Sequence, residues 1–373
     1  MTNLPPQPLP AELLPRGVCS RFVDNANGLA MHLLEAGFDD TGRPTVLLLH
    51  GFPELAYSWR GVMPALADAG YHVLAPDQRG YGRTQGGDAH YDGDWRSCRF
   101  LNLVRDVTGL LAALGVPRVH AVVGHDFGSP VAAWCALTRP DVFGSVVLMS
   151  APFGGVPAGS AQAADVHAAL AALPQPRKHY QRYYTTREAN DDMWHCAQGV
   201  HDFLRAYYHH KSADWSANKP FRLAAWSAEE LARMPTYYVM DLRETMAQTV
   251  AHEMPDGAAI AACRWLPDAE LRVYSTEYQR TGFQGGLQWY RCVADAGCNA
   301  ELQPFAGRTI DVPSLFIAGR CDWGTHQHPG ALEAMHSRAC TRMRTVHLVD
   351  GAGHWVQQEQ PAAVSRLLLE FMS

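Results

Sequence analysis

The pentapeptide Gly124-His125-Asp126-Phe127-Gly128 constrains this chain more than any other stretch. It follows the apolar run Val119-His120-Ala121-Val122-Val123 and leads into a helical pattern over 130–137. A small-x-nucleophile-x-small sequence between a strand and a helix is the frame of a nucleophile elbow. The turn is tight and its backbone crowded, so glycine is needed on both sides. Serine usually stands at the centre; here it is Asp126. A carboxylate is ionised at neutral pH and needs no base to activate it. It can attack an sp³ carbon and leave an alkyl ester on the chain. An aspartate at this place also suits an ordinary helix cap, so the motif has to be weighed with the rest of the sequence.

The alternation around the motif extends over most of the chain. Runs at 19–23, 29–35, 45–50, 72–75, 119–123, 145–149, 312–318 and 344–349 read as strands, and several are continuously apolar, as strands buried on both faces are. Helical patterns at 58–69, 100–114, 130–137 and 361–372 fall between or after them. Strands alternating with helices predict an α/β fold with a mostly parallel sheet flanked by helices, and a site on the loops at one sheet edge. Residues 1–16 carry five prolines and read as an extended arm. From about 153 to 285 the alternation stops, and Ala, Tyr, Trp and His dominate. This block reads as a mainly helical cap inserted into the sheet domain. The expected division is therefore core at 1–152, cap at 153–285 and core again at 286–373.

Composition narrows the function classes. A chain of 373 residues with 47% hydrophobic residues supports a large core. A net charge of -6 and no lysine or arginine cluster give no basis for binding nucleic acid. Nine cysteines without a CxxC pair argue against a disulfide framework and fit reduced thiols in a cytoplasm. No signal peptide and no run near the length of a membrane span are apparent. Eighteen histidines include His209-His210 and His326-x-His328, but neither pair has further ligands at metal-site spacing, and no glycine-rich phosphate loop occurs. Neither a metal nor another cofactor is expected.

Two further residues join Asp126. Asp322 follows the run at 312–318, in Gly319-Arg320-Cys321-Asp322, and His354 follows the last run, in Gly351-Ala352-Gly353-His354-Trp355. All three fall on post-strand loops, in the order nucleophile, acid, histidine. A histidine oriented by a carboxylate is a general base whose tautomer the acid fixes. The loop His50-Gly51-Phe52-Pro53-Glu54 also follows a strand. A backbone N–H from it, together with the N–H after the nucleophile, forms the oxyanion hole of such sites. These donors are assigned to Phe52 and Phe127, because Pro53 has no N–H.

With these residues in view, the chain from about residue 20 resembles the α/β-hydrolase superfamily and, more closely, its epoxide hydrolase family. The resemblance rests on His50–Glu54 with Tyr57-Ser58-Trp59-Arg60, on Asp77-Gln78-Arg79-Gly80-Tyr81-Gly82, on the elbow, and on Gly353-His354-Trp355. It implies an α/β-hydrolase fold with a helical cap and a hydrolase acting on the ether bond of an epoxide. It also implies two cap tyrosines that donate to the epoxide oxygen as the ring opens. His179-Tyr180-Gln181 and Gly286-Leu287-Gln288-Trp289-Tyr290-Arg291 resemble the segments holding them, so those roles fall to Tyr180 and Tyr290; Tyr183 and Tyr184 are neighbouring alternatives to Tyr180. The expected substrates are a small apolar or aromatic epoxide and water. The long cap leaves room for helices that narrow access or join copies of the chain.

Haloalkane and haloacid dehalogenases use the same aspartate. The former typically place a tryptophan after it, and fluoroacetate dehalogenases place arginines there. Here Phe127, Ser129 and Pro130 occupy that stretch. A serine hydrolase lacks its Gly-x-Ser-x-Gly. A non-enzymatic ligand-binding relative is the remaining alternative from another class, and an intact apparent triad argues against it.

Overall fold

A computed structural model describes residues 6–40, 42–156 and 165–373. The first five residues of the proline-rich arm and residues 157–164 of the inserted block lie outside the described residues; the rest of the arm holds one 3-10 turn, Ala11–Leu13. Ten strands occur among the described residues: β1 Val18–Ala26, β2 Leu29–Ala36, β3 Thr45–Leu49, β4 His72–Pro76, β5 Ala121–His125, β6 Val146–Met149, β7 Arg177–His179, β8 Val239–Asp241, β9 Ser314–Gly319 and β10 Met343–Val349. Eight of them form one sheet in the order β1-β2-β4-β3-β5-β6-β9-β10.

The sheet is parallel from β4 to β10, and β3, β5, β6 and β9 are buried along their whole length. These are the continuous apolar runs, and with helices on both faces nothing polar is needed on either side. β1 and β2 depart from the parallel pattern. They form a hairpin, and β2 pairs antiparallel with β4. The cause is Asn27-Gly28, both with positive φ (51° and 76°), the backbone of a type I′ turn. The helix expected over 58–69 is instead a 3-10 turn, Ala56–Trp59, followed by an α-helix, Met63–Asp68. An unbroken helix would put Pro64 in its interior, where it removes a hydrogen bond and clashes; the second helix has it in its first turn.

Between β6 and β9 lies a block built mainly of helices, among them Tyr180–Tyr184, Gly199–Lys211, Asp268–Thr281 and Gln284–Ala294. It also contains an element that periodicity did not signal. β7 and β8, three residues each, pair antiparallel. The boundary drawn at 285/286 falls inside the helix Gln284–Ala294, so Tyr290 lies on a helix that begins before that boundary. No described helix is long and apolar enough to cross a membrane.

Candidate active site

The elbow turns where β5 ends. Asp126 has φ 50°, a left-handed conformation that L-residues rarely adopt outside strained functional turns. The flanking glycines are required by close approach. A Cβ on Gly124 would lie 2.0 Å from the Gly128 carbonyl oxygen, and one on Gly128 would lie 2.2 Å from that of Leu49. The turn thus lifts the Asp126 carboxylate above the sheet edge while its backbone N–H stays on β6, donating to the Met149 carbonyl (3.2 Å).

The other two loop residues converge on it. His354 Nδ1 lies 3.0 Å from Asp322 Oδ1, and His354 Nε2 lies 3.3 Å from Asp126 Oδ2. The first contact is a hydrogen bond that fixes the ring. The second is a close approach without hydrogen-bond geometry, so Nε2 faces the nucleophile but is not consumed by it. Across the carboxylate, the Phe52 N–H donates to Asp126 Oδ1 at 2.9 Å. The Phe127 N–H opens the helix Gly128–Thr138, where the first amides have no acceptor within the helix.

The charges agree with these contacts. Burial disfavours the ionised form of Asp126, yet His354, Lys211 and His125 hold its carboxyl well below the ordinary carboxylate range. For His354, burial and Lys211 pull down, while Asp322 and Asp126 pull up and prevail, so its proton affinity is raised. Burial pushes the Tyr180 and Tyr290 hydroxyls well above the usual phenol range. Both remain neutral donors at pH 7.

Tyr180 and Tyr290 line the same cavity as Asp126 and Phe127, a space of about 330 Å³. The unexpected β7–β8 ladder sets the first of them. His179 pairs with Val239, and the Tyr180 N–H donates to the Tyr238 carbonyl (2.8 Å). The Tyr180 hydroxyl then donates to Gln327 Oε1 and accepts from Gln181 Nε2, each at 3.2 Å. Tyr290 is set by the seating of its helix, whose Trp289 Nε1 donates to the Arg79 carbonyl at 3.0 Å. Its ring packs edge-on against Phe127 (4.7 Å between centroids) and Phe52 (5.5 Å). The two tyrosine rings are 5.9 Å apart. Their neighbours point elsewhere. The Tyr183 hydroxyl donates to Asp192 (2.7 Å) and that of Tyr184 to Tyr207 (3.3 Å).

Several residues around the site carried no role in the sequence reading. His125, within the elbow, places Nδ1 2.6 Å from Glu54 Oε2 and Nε2 2.7 Å from the His354 carbonyl. Glu54 is fully buried and also accepts from Gln357 and Gln358. Both sit inside quoted motifs, where the signal was available. Lys211 had none. It ends the helix Gly199–Lys211, and its buried ammonium lies 4.9–5.3 Å from the ring centres of Tyr238, Tyr207 and Trp355. Burial lowers its proton affinity, opposed by Asp126, Asp322 and Glu54. Beneath the site, Asp77 accepts the Ala56 and Arg83 N–H groups, and Arg79 is forked onto Asp106.

A sheet of this order, an elbow with positive φ at its centre and an acid–histidine pair from the last two strands define an α/β-hydrolase. The sequence model of the alpha/beta hydrolase fold matches residues 44–361. Epoxide hydrolase A of Mycobacterium tuberculosis is 36% identical over 372 residues, covering 95% of this chain and 97% of that protein; epoxide hydrolase B of the same organism is 32% identical, covering 93% and 96%. Among solved structures, an epoxide hydrolase from an endophytic Streptomyces superposes with a TM-score of 0.76 at 33% identity, covering 96% of each chain. Potato (Solanum tuberosum) epoxide hydrolase I superposes at 0.73 and 29%, covering 95% of this chain and 99% of its own. The chain belongs to the epoxide hydrolase family of the α/β-hydrolases.

Proposed function

We propose that the chain adds water to a small apolar epoxide through a covalent ester on Asp126, giving a vicinal diol. An Asp126 oxygen attacks an epoxide carbon and the carbon–oxygen bond of the ring breaks. The departing alkoxide takes a proton from Tyr180 or Tyr290, which hold the epoxide oxygen beforehand. His354, oriented by Asp322, then removes a proton from water, and the hydroxide attacks the ester carbonyl carbon. The Phe52 and Phe127 N–H groups receive the oxyanion. The acyl–oxygen bond breaks and the diol oxygen takes the proton from His354; Asp126 keeps the oxygen that came from water, and the remaining proton on it passes to the tyrosinate, so that carboxylate and phenol are both restored.

The observation that carries this reading is one cavity with a nucleophilic carboxylate on its floor and two un-ionised phenols on its wall. A halide site needs N–H donors in place of the phenols, and the side chain after the nucleophile, Phe127, has none. Phe100, Trp134, Phe153 and Leu302 extend the cavity and favour an apolar or aryl substituent on the epoxide. The division of labour follows the chain: a sheet core that carries Asp126, Asp322 and His354, and a cap inserted between β6 and β9 that shapes the cavity and carries Tyr180 and Tyr290. Nine unpaired thiols suit a reducing cytoplasm.

A single turnover in ¹⁸O-enriched water tests the route. The first diol should carry unlabelled oxygen from Asp126, with label appearing in the carboxylate; label in that first diol excludes the ester.

A further inference from the structure

The loop that carries His354 is bonded to the inserted block as closely as to the sheet. Its three successive amides are all occupied. The Gly353 N–H donates to Glu359 Oε2 (2.9 Å), the His354 N–H to the Lys211 carbonyl (2.9 Å), and the Trp355 N–H to Glu359 Oε1 (3.0 Å). Glu359 Oε2 also accepts the Ala213 N–H at 2.8 Å, two residues beyond the end of the helix Gly199–Lys211. The indole N–H of Trp355 donates to the Tyr208 carbonyl of that helix (2.8 Å).

Glu359 is an unusual choice for this place. It is 9% exposed, and among the described residues no lysine or arginine pairs with it. Burial pushes its carboxyl up to about 8, against the pull of the three amides. A buried carboxyl group held only by backbone N–H groups is costly unless the bonds it makes serve a purpose. Here the amides belong to both neighbours of the general base and to the segment Lys211–Ala213, whose first residue holds the base's own N–H.

Taking the covalent-ester reading as given, we propose that Glu359 is a positioning residue for the hydrolytic half of the reaction. Its two carboxyl oxygens, which accept the Gly353, Ala213 and Trp355 N–H groups, clip the His354 loop to the Lys211–Ala213 segment, so that the imidazole stays between Asp322 and the ester carbonyl while water attacks. It has no part in ring opening, because Asp126 and the two tyrosines are set by other elements.

The test is Glu359→Gln, in rapid-mixing experiments with styrene oxide as probe. Glutamine keeps the volume but turns an N–H toward a backbone N–H. Ester formation should stay within about twofold of the parent, while ester hydrolysis falls roughly ten- to a hundredfold, the cost of a small misplacement. Because a slower second step leaves the first untouched, kcat and KM should fall together and kcat/KM should hold. Acid-quenched samples should then carry more ester by mass. Unchanged hydrolysis, or equal slowing of both steps, overturns the proposal. If the variant does not fold, Ala213→Pro, which deletes only the cap-side N–H, is judged by the same split between the steps. Absence of any ester in the parent protein is a separate failure, that of the covalent reading itself.

Discussion

Asp126, Asp322 and His354 stand on loops of a parallel sheet, whereas Tyr180 and Tyr290 stand on helices of the inserted block. The two halves of the site are held by different forces. On the sheet side, backbone bonds fix each group: Asp126 through its N–H on Met149, His354 through Lys211 above and His125 below. On the block side, the β7–β8 ladder ties the Tyr180 backbone, while the rings depend on side-chain packing, with Tyr290 wedged among Phe52, Phe127 and Tyr184. Backbone-fixed groups suit chemistry that must repeat on every substrate. Groups set by packing can shift with the shape of the cavity wall.

The sharpest way to break this comparison is to remove the sheet-side base. His354→Gln should leave ring opening intact and stop hydrolysis, lowering turnover by roughly 10²–10⁴-fold, the usual worth of a general base. The enzyme should accumulate as an ester, visible as a mass increase equal to that of the epoxide. Turnover without an accumulated ester would mean that the two halves of the site do not serve separate steps.

The block-side variants should fail at the other step. Tyr180→Phe and Tyr290→Phe each remove one of two donors to the same oxygen. Each should slow ester formation by about ten- to a hundredfold, the double variant should lose more than either, and hydrolysis of preformed ester should be little changed. Stopped-flow tryptophan fluorescence separates the two rates. Equal loss in both steps would put the tyrosines in the packing of the cap.

The same contrast explains what could be read from the sequence. The order of Asp126, Asp322 and His354 along the chain was enough, because parallel strands bring their following loops to one edge whatever the detail of the core. The Asn27-Gly28 turn was readable too, as a hairpin signal, and was passed over. In the block, ten of the chain's fourteen tyrosines gave no internal ground for choosing two. The choice came from family resemblance, since it depends on which hydroxyl faces the cavity, and that is set by β7–β8, two strands of three residues too short for any period to reveal. Lys211 and Glu359 were equally silent: each joins near partners to ones distant in sequence, Tyr238 and Trp355 for Lys211 and Ala213 for Glu359, and no local pattern announces them.

Lys211 joins the two regions and allows a finer test. The groups facing His354 are Asp126 and Asp322, which raise its proton affinity, Lys211, which lowers it, and His125, whose ring is 5.1 Å away. The protonated ring is no base, so hydrolysis fails as pH falls through the His354 pKa. Asp126 is held well below the carboxylate range, so ester formation persists there and ester should build up in mild acid. Lys211→Met keeps the bulk inside its aromatic cage and deletes the charge. With the lowering influence gone, the acid limb of hydrolysis should move to higher pH by several tenths of a unit, while the pH profile of ester formation moves far less. A limb that stays in place would mean that the cage only packs the block.

The smallest expected effect is the most discriminating within the block. Tyr183 is three residues from Tyr180 on the same short helix, so one helical turn separates a proposed proton donor from a structural residue. The Tyr183 hydroxyl is bonded to Asp192, and the Lys178 ammonium lies 4.8 Å from the centre of its ring, away from the cavity that Tyr180 lines. Tyr183→Phe should therefore leave both half-reactions within about twofold of the parent and cost only the lost hydrogen bond, about 0.5–1.5 kcal/mol in a denaturant titration. Tyr180→Phe should show the reverse, a large kinetic loss with a small change in stability, because its hydroxyl is held by two long bonds of 3.2 Å. If the two variants exchanged these signatures, the donor would lie one turn further along the helix, and the route from the β7–β8 ladder to the epoxide oxygen would have to run through Tyr183.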